Sequence, residues 1–308
     1  MSKTALLFAG QGAQVVGMGR DLAEQFPAAR AWFDRANAAL GYDLASICFT
    51  GPEAELIKTE NAQPGIFLVS WVCFELLKER VAFTFEATAG LSLGEFTALT
   101  AAEAMSFEDG LRVVRQRGRF MQEACDATQG GMAAVIGLDE APTREVCAEA
   151  GVVLANLNCP GQLVISGESE KILKAVDLAK AKGAKRAIPL PVAGAYHSPL
   201  MASAQPKLEA ELAKVKIEPT KVPVIANVSA LPYGRPNQIP ISLVEQVTSS
   251  VRWEESMRCL VNQGFTRFIE LGPGTALSGF MKRINKEVQM LNVADVASLE
   301  TAVKTLTA

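Results

Sequence analysis

Residues 88–96 read TAGLSLGEF, and the reading of this stretch decides the fold. Ser92 stands between Gly90 and Gly94, after the short apolar lead Ala87–Gly90 and before LSLGEFTALTAA, whose later part has helical character. A strand, a sharp turn and a helix would place a G-x-S-x-G serine on a strained elbow. There its hydroxyl is exposed above the start of the next helix. The amide N–H of the following residue, Leu93, would then point toward an oxyanion, reinforced by the helix dipole. A plain glycine turn is the competing reading of the same residues.

Working outward, Thr4–Ala9 is an apolar run ending at GQG, which predicts a buried strand and then a turn. Apolar residues recur at helical spacing over 21–40, 64–80 and 106–124. After His197 helices and strands alternate again: SAQPKLEAELAKV is helical, VPVIANV a strand, WEESMRCLVNQG a helix and FTRFIEL a strand, and GPG then turns into the helix ALSGFMKRI. Alternation of this kind predicts an α/β domain with a mostly parallel sheet. Between these parts the pattern changes. From about residue 131, MAAVIGL, PTREVCAEA, GVVLANLN, QLVISG, ESEKILKAVDLAKAKG and AKRAIPL follow the order βαββαβ, a ferredoxin-like unit. Gly130-Gly131 and Gly194 punctuate it. The expectation is an inserted subdomain at 130–194 within a domain made of 1–129 and 195–308.

Composition narrows the function classes. The 308 residues suit one large domain with an insertion, or two domains. With 30 Lys+Arg against 33 Asp+Glu the net charge is −3, which gives no basic field for nucleic acid. The longest apolar stretch, 64–77, is too short to span a bilayer. The six cysteines include no CxxC pair and the chain holds one histidine, so neither a disulfide framework nor a zinc site is expected. Reduced thiols point to the cytoplasm.

A nucleophilic serine needs a base, and His197 in VAGAYHSPLM is the single imidazole in the chain. A lone histidine is more often structural than catalytic, so the two assignments stand or fall together. The loop FAGQGAQ (8–14) could offer amide N–H groups to an anion, but it matches neither a phosphate loop nor a dinucleotide fingerprint. Of Arg112, Arg115, Arg117 and Arg119, Arg117 lies beside Gly118 and the apolar Phe120 and Met121. A partly buried guanidinium there could clamp a carboxylate through two hydrogen bonds.

Taken together, FAGQGAQ, ENAQP, GLSLGEF, RQRGRFMQ, NLNCPGQLVISG, GAYHSPLM, PVIANV, VRWEESM and ELGPG, in this order, resemble the malonyl-CoA:acyl carrier protein transacylases of type II fatty acid synthesis over nearly the whole chain. The resemblance implies an α/β-hydrolase-like fold with a ferredoxin-like insertion. It implies Ser92 as nucleophile, His197 as base and the amides of Gln11 and Leu93 as the oxyanion hole. Arg117 would meet the malonyl carboxylate. Gln63, Leu91, Tyr196 and Asn158 would line the substrate site, and the main-chain carbonyl near Arg252 would orient the imidazole. The implied substrates are malonyl-CoA and the phosphopantetheine arm of acyl carrier protein, with no cofactor and no metal, in a monomer. Three departures from the family pattern stand out: Ala9 and Ala13 in the first loop, Tyr196 for phenylalanine before the base, and Leu91 for histidine before the nucleophile. A polyketide-pathway acyltransferase, a serine thioesterase or hydrolase, and an inactive acyltransferase-like scaffold are the alternatives. Basic groups for the acidic carrier are sought at Lys182, Lys185 and Arg186, and at Lys282, Arg283 and Lys286.

Overall fold

Lys3–Phe8 forms β1, and every residue after Lys3 is buried. A strand with apolar side chains on both faces belongs in the middle of a parallel sheet covered by helices. The computed structural model describes residues 2–307. In it β2 is Ala87–Gly90, β3 Gly130–Ile136, β4 Val153–Cys159, β5 Gln162–Glu168, β6 Arg186–Pro189, β7 Val224–Ile225, β8 Phe265–Leu271 and β9 Gln289–Val293. The larger sheet has the order β7-β2-β1-β8-β9, and every neighbouring pair is parallel.

The pleat of β1 divides the core. Leu6 and Phe8 face the main cluster, with Phe67, Val72 and Phe96, under the helices Thr59–Arg80 and Phe107–Asp126. Ala5 and Leu7 face the opposite cluster, with Trp253, Met257 and Met281. Alternate side chains of one strand thus seed both faces. Among the described residues no helix is long and apolar enough to cross a membrane.

Residues 130–189 build the second sheet, an antiparallel one of order β4-β5-β3-β6. Helices Glu140–Ala150 and Ser169–Ala181 cover one face, where Val135, Leu154 and Ile165 pack against Val146, Ile172 and Val176. From the other face Met132, Asn156, Asn158 and Val164 look into a cleft. β4 is tied to the larger body: Leu157 N donates to Val251 O at 2.9 Å and Val251 N to Ala155 O at 2.8 Å.

One expected strand is much shorter than its sequence pattern. VPVIANV contributes only Val224–Ile225 to the sheet. The chain leaves at Ala226, whose amide turns to Leu231 O at 3.0 Å, and this brings Asn227 behind the serine elbow.

Candidate active site

The elbow is forced by contact. β2 ends at Gly90, and a Cβ there would lie 1.9 Å from the carbonyl of Gly94; a Cβ on Gly94 would lie 2.3 Å from Phe8 O. Only two bare backbones can cross so closely. Between them Ser92 takes φ 53°, a left-handed conformation that costs a residue with a side chain about 1–3 kcal/mol unless the surroundings hold it. They do. Ser92 N donates to Asn227 Oδ1 at 2.7 Å, and Ser92 O accepts from Gln246 Nε2 at 3.0 Å and Glu95 N at 3.1 Å. Asn227 is itself anchored by its Nδ2, which donates to Gly90 O at 2.7 Å.

Ser92 Oγ lies 2.9 Å from His197 Nε2. His197 Nδ1 meets the main-chain carbonyl of Gln246 at 2.9 Å. A carbonyl can only accept, so Nδ1 carries the proton and Nε2 is left free to receive one from the serine. The expected carbonyl was that of Arg252. That carbonyl is used elsewhere: it takes Ser256 N at 3.0 Å and Ser256 Oγ at 2.9 Å at the start of helix Trp253–Asn262. The imidazole is buried, also with a left-handed φ of 57°. Burial first, and then the Arg117 cation, lower its pKa to about 4.

Arg117 is 1% exposed, whereas Arg112 and Arg119 on the same helix face solvent. Its Nη1 donates to Gln63 Oε1 at 2.7 Å, and its Nη2 to Gln246 Oε1 at 2.9 Å and Ser92 Oγ at 3.1 Å. Its Nε has no partner, and among the described residues no carboxylate approaches within ion-pair distance. Burial lowers its pKa to about 10, still far above neutrality. The site therefore contains a desolvated, permanent cation hydrogen-bonded only to neutral groups, with the Glu95 charge acting on it from beyond ion-pair distance, an arrangement that favours a carboxylate ligand.

The remaining expected residues are placed around this pair. Gln63 Nε2 reaches Gln11 Oε1 at 3.2 Å, Gln11 Nε2 reaches Thr59 Oγ1 at 3.4 Å, and the Thr59 and Tyr196 hydroxyls are 2.7 Å apart. Among the described residues the main-chain amides of Gln11 and Leu93 meet no protein acceptor, as oxyanion donors must. Leu91, Tyr196 and Asn158 line a cleft of about 1010 Å³ that opens over Ser92 and His197. The Oδ1 of Asn158 is buried without a partner. Leu91 and Phe280 both pack against the apolar cluster that holds Leu277.

Asn227, Gln246, Glu95 and Thr59 join this network without any role that the sequence alone predicts. Asn227 and Glu95 lie inside quoted motifs, so a signal was present. Gln246, in LVEQVTSS, carries none.

A family model described as the acyl transferase domain matches residues 5–305. The malonyl CoA-acyl carrier protein transacylase of Bacillus subtilis is 47% identical over 99% of this chain and 98% of its own. The chain belongs to the malonyl-CoA:acyl carrier protein transacylase family. Among other transacylases, that of Escherichia coli K12 is 41% identical over 92% of this chain and 93% of its own. The solved transacylase of Coxiella burnetii superposes with a TM-score of 0.96 at 38% identity, covering 100% of this chain and 98% of its own. A malonyl-transacylase solved in complex with its type II PKS acyl-carrier protein gives the same TM-score and identity, over 99% and 100%. The chain is an acyltransferase, and its fold is the α/β fold of these structures, a mostly parallel sheet joined to an antiparallel one.

Proposed function

We propose that the chain moves a malonyl group from malonyl-CoA to the phosphopantetheine thiol of acyl carrier protein, for fatty acid synthesis, through an ester on Ser92. In the first half-reaction Ser92 Oγ attacks the thioester carbonyl while His197 Nε2 takes its proton. The amides of Gln11 and Leu93 receive the developing oxyanion. The C–S bond then breaks, and the proton passes from His197 to the leaving CoA sulfur. In the second, His197 takes the carrier thiol's proton, the sulfur attacks the malonyl ester, and Ser92 leaves with the proton restored. No cofactor enters either half. The architecture suits this chemistry as an α/β-hydrolase-like domain of 1–129 and 195–308 carrying a ferredoxin-like insertion at 130–194, with the cleft between them shielding the ester from water.

The observation that carries this reading is the convergence of base and cation on one hydroxyl: His197 Nε2 at 2.9 Å and Arg117 Nη2 at 3.1 Å from Ser92 Oγ. A carboxylated acyl group explains the cation. Hydrolysis of an uncharged ester gives it no role, and the imidazole rests on a carbonyl where a hydrolase triad would supply a carboxylate. Intact mass after mixing with malonyl-CoA is the test. One malonyl group should appear on the peptide containing residues 90–94 and be absent from Ser92→Ala. Modification that survives in Ser92→Ala overturns the nucleophile assignment, and free malonate as the main product in the presence of carrier protein overturns the transferase reading.

A further inference from the structure

Behind the elbow lies a carboxyl group that the transfer steps do not use. Glu95 is 1% exposed, in the first turn of helix Gly94–Ala101. Its oxygens meet only donors. The Tyr233 hydroxyl reaches Oε1, while Asn227 N at 3.1 Å and Gln246 Nε2 at 2.7 Å both reach Oε2. Gln246 is in turn fully engaged. Its main-chain carbonyl holds His197, its Oε1 accepts from Arg117, and its Nε2 donates to Ser92 O as well as to Glu95.

The two ends of a glutamine amide have nearly the same shape, so its neighbours decide which end carries the oxygen. Here three acceptors, Glu95 Oε2 at 2.7 Å, Ser92 O at 3.0 Å and Asn227 Oδ1 at 3.5 Å, stand on one side and the guanidinium donor on the other, with Glu95 the nearest and the one that carries charge. A flipped amide would set oxygen against all three acceptors and N–H against the cation. A buried, half-satisfied network of this kind is costly. The carboxylate is also costly in its own right. Burial pushes the Glu95 carboxyl up to about 7, against the Tyr233, Gln246 and Asn227 hydrogen bonds and the Arg117 charge that pull it down. An apolar side chain of the same size would pack there without that penalty.

We propose that Glu95 is a positioning residue for carboxylated acyl groups: it locks the Gln246 amide so that Oε1 holds Arg117 Nη2 beside Ser92. The proposal rests on the reading of Arg117 as the carboxylate receptor. Glu95 acts at one remove, through Gln246, and touches no substrate.

The test compares rates of Ser92 acylation from malonyl-CoA and from acetyl-CoA in Glu95→Met, Glu95→Gln, Gln246→Met and Arg117→Ala. Glu95→Met keeps the shape and removes the acceptors. Losing a hydrogen bond to a charged group should lower malonyl acylation about ten- to hundredfold. Acetyl acylation should fall less, so the malonyl preference narrows. Glu95→Gln can place its carbonyl oxygen where Oε2 was and turn its amide toward the Tyr233 oxygen. Its preference should return to within about fivefold of wild type, because a neutral acceptor forfeits part of a charge-assisted bond. A packing role alone would lower both acyl groups in parallel, and parallel losses overturn the proposal. If Glu95→Met does not fold, Gln246→Met, which keeps the carbonyl on His197, must narrow the preference; an unchanged preference overturns the proposal. Arg117→Ala separates the two levels. Preference retained in Arg117→Ala removes the receptor reading and this proposal with it. Preference lost there but kept in the Glu95 and Gln246 variants removes this proposal alone.

Discussion

Replacing Arg117 with methionine deletes the guanidinium and keeps much of the side chain's length, which limits the cavity left at a position only 1% exposed. For the malonyl group the loss is one partner of a buried, hydrogen-bonded charge pair, which costs about 2–5 kcal/mol. At about 1.4 kcal/mol per tenfold, formation of malonyl-Ser92 should slow by roughly thirty- to several-thousandfold. The acetyl group has no carboxylate to lose. It is affected through the 3.1 Å charge-assisted contact from Arg117 Nη2 to Ser92 Oγ, which both acyl groups lose alike and which therefore cancels in their ratio. Removing a cation that depresses His197 basicity acts in the opposite direction. The malonyl-over-acetyl preference should therefore drop by about the factor set by the charge pair alone, roughly thirtyfold or more. Rapid-quench acylation with each thioester, read by intact mass, measures it. Equal slowing of both groups would refute the reasoning and leave Arg117 as a support for Gln63 and Gln246.

The other expectations concern the base, the elbow and the carrier protein. His197→Ala should slow acylation by about 10²–10⁴-fold, the usual worth of a general base. The folded pKa of His197 lies below the unfolded 6.5, so the base stays neutral and competent as pH falls, down to about 4. In Glu95→Gln, which removes the neighbouring group that titrates near 7, a pH profile of kcat/KM for acylation should be flat through pH 6 and decline only toward 4; a midpoint near 6.5 contradicts this. Gly90→Ala sets a Cβ 1.9 Å from backbone. Its cost should reach or exceed the roughly 1–3 kcal/mol of ordinary overpacking, seen as a lowered Tm together with lost acylation. Lys182 is already paired with Glu145 at 2.9 Å, but the side chains of Lys185 and Arg283 flank the turns at Gly137 and Gly161. Reversing both charges, Lys185→Glu with Arg283→Glu, should raise KM for carrier protein and spare acylation from malonyl-CoA; unchanged carrier kinetics place docking elsewhere.

Local pattern was enough for whatever local physics decides. The run Thr4–Ala9, the elbow glycines and the βαββαβ order of the second sheet are each written in neighbouring residues, and they fold as their periodicities indicate. Ser92, His197 and Arg117 were legible for another reason: a lone imidazole, a serine between glycines and an arginine among apolar residues are chemically conspicuous. What escaped was the support. Gln246 is 154 positions from the serine it holds, and Asn227 is 135. No periodicity links residues so far apart. The carbonyl on the imidazole was misplaced to Arg252 for the same reason, since a main-chain acceptor leaves no trace in side-chain identity. VPVIANV was read too long because its apolar alternation continues past Ala226, where a turn bond to Leu231 takes the chain out of the sheet.

The spread of the site along the chain has a consequence for synthesis. The elbow leaves the ribosome early, with its nucleophile in place, but the imidazole follows 105 residues later and the glutamine that fixes its tautomer 49 residues after that. The whole second sheet must be made in between. A nascent chain that has released residue 92 should thus react only slowly with thioesters until residue 246, and then β8 beside β1, have emerged and docked. Fragments ending before residue 197 carry the serine without its imidazole, and those ending between 197 and 246 carry the imidazole without the carbonyl that orients it, so both should acylate far more slowly than the whole chain.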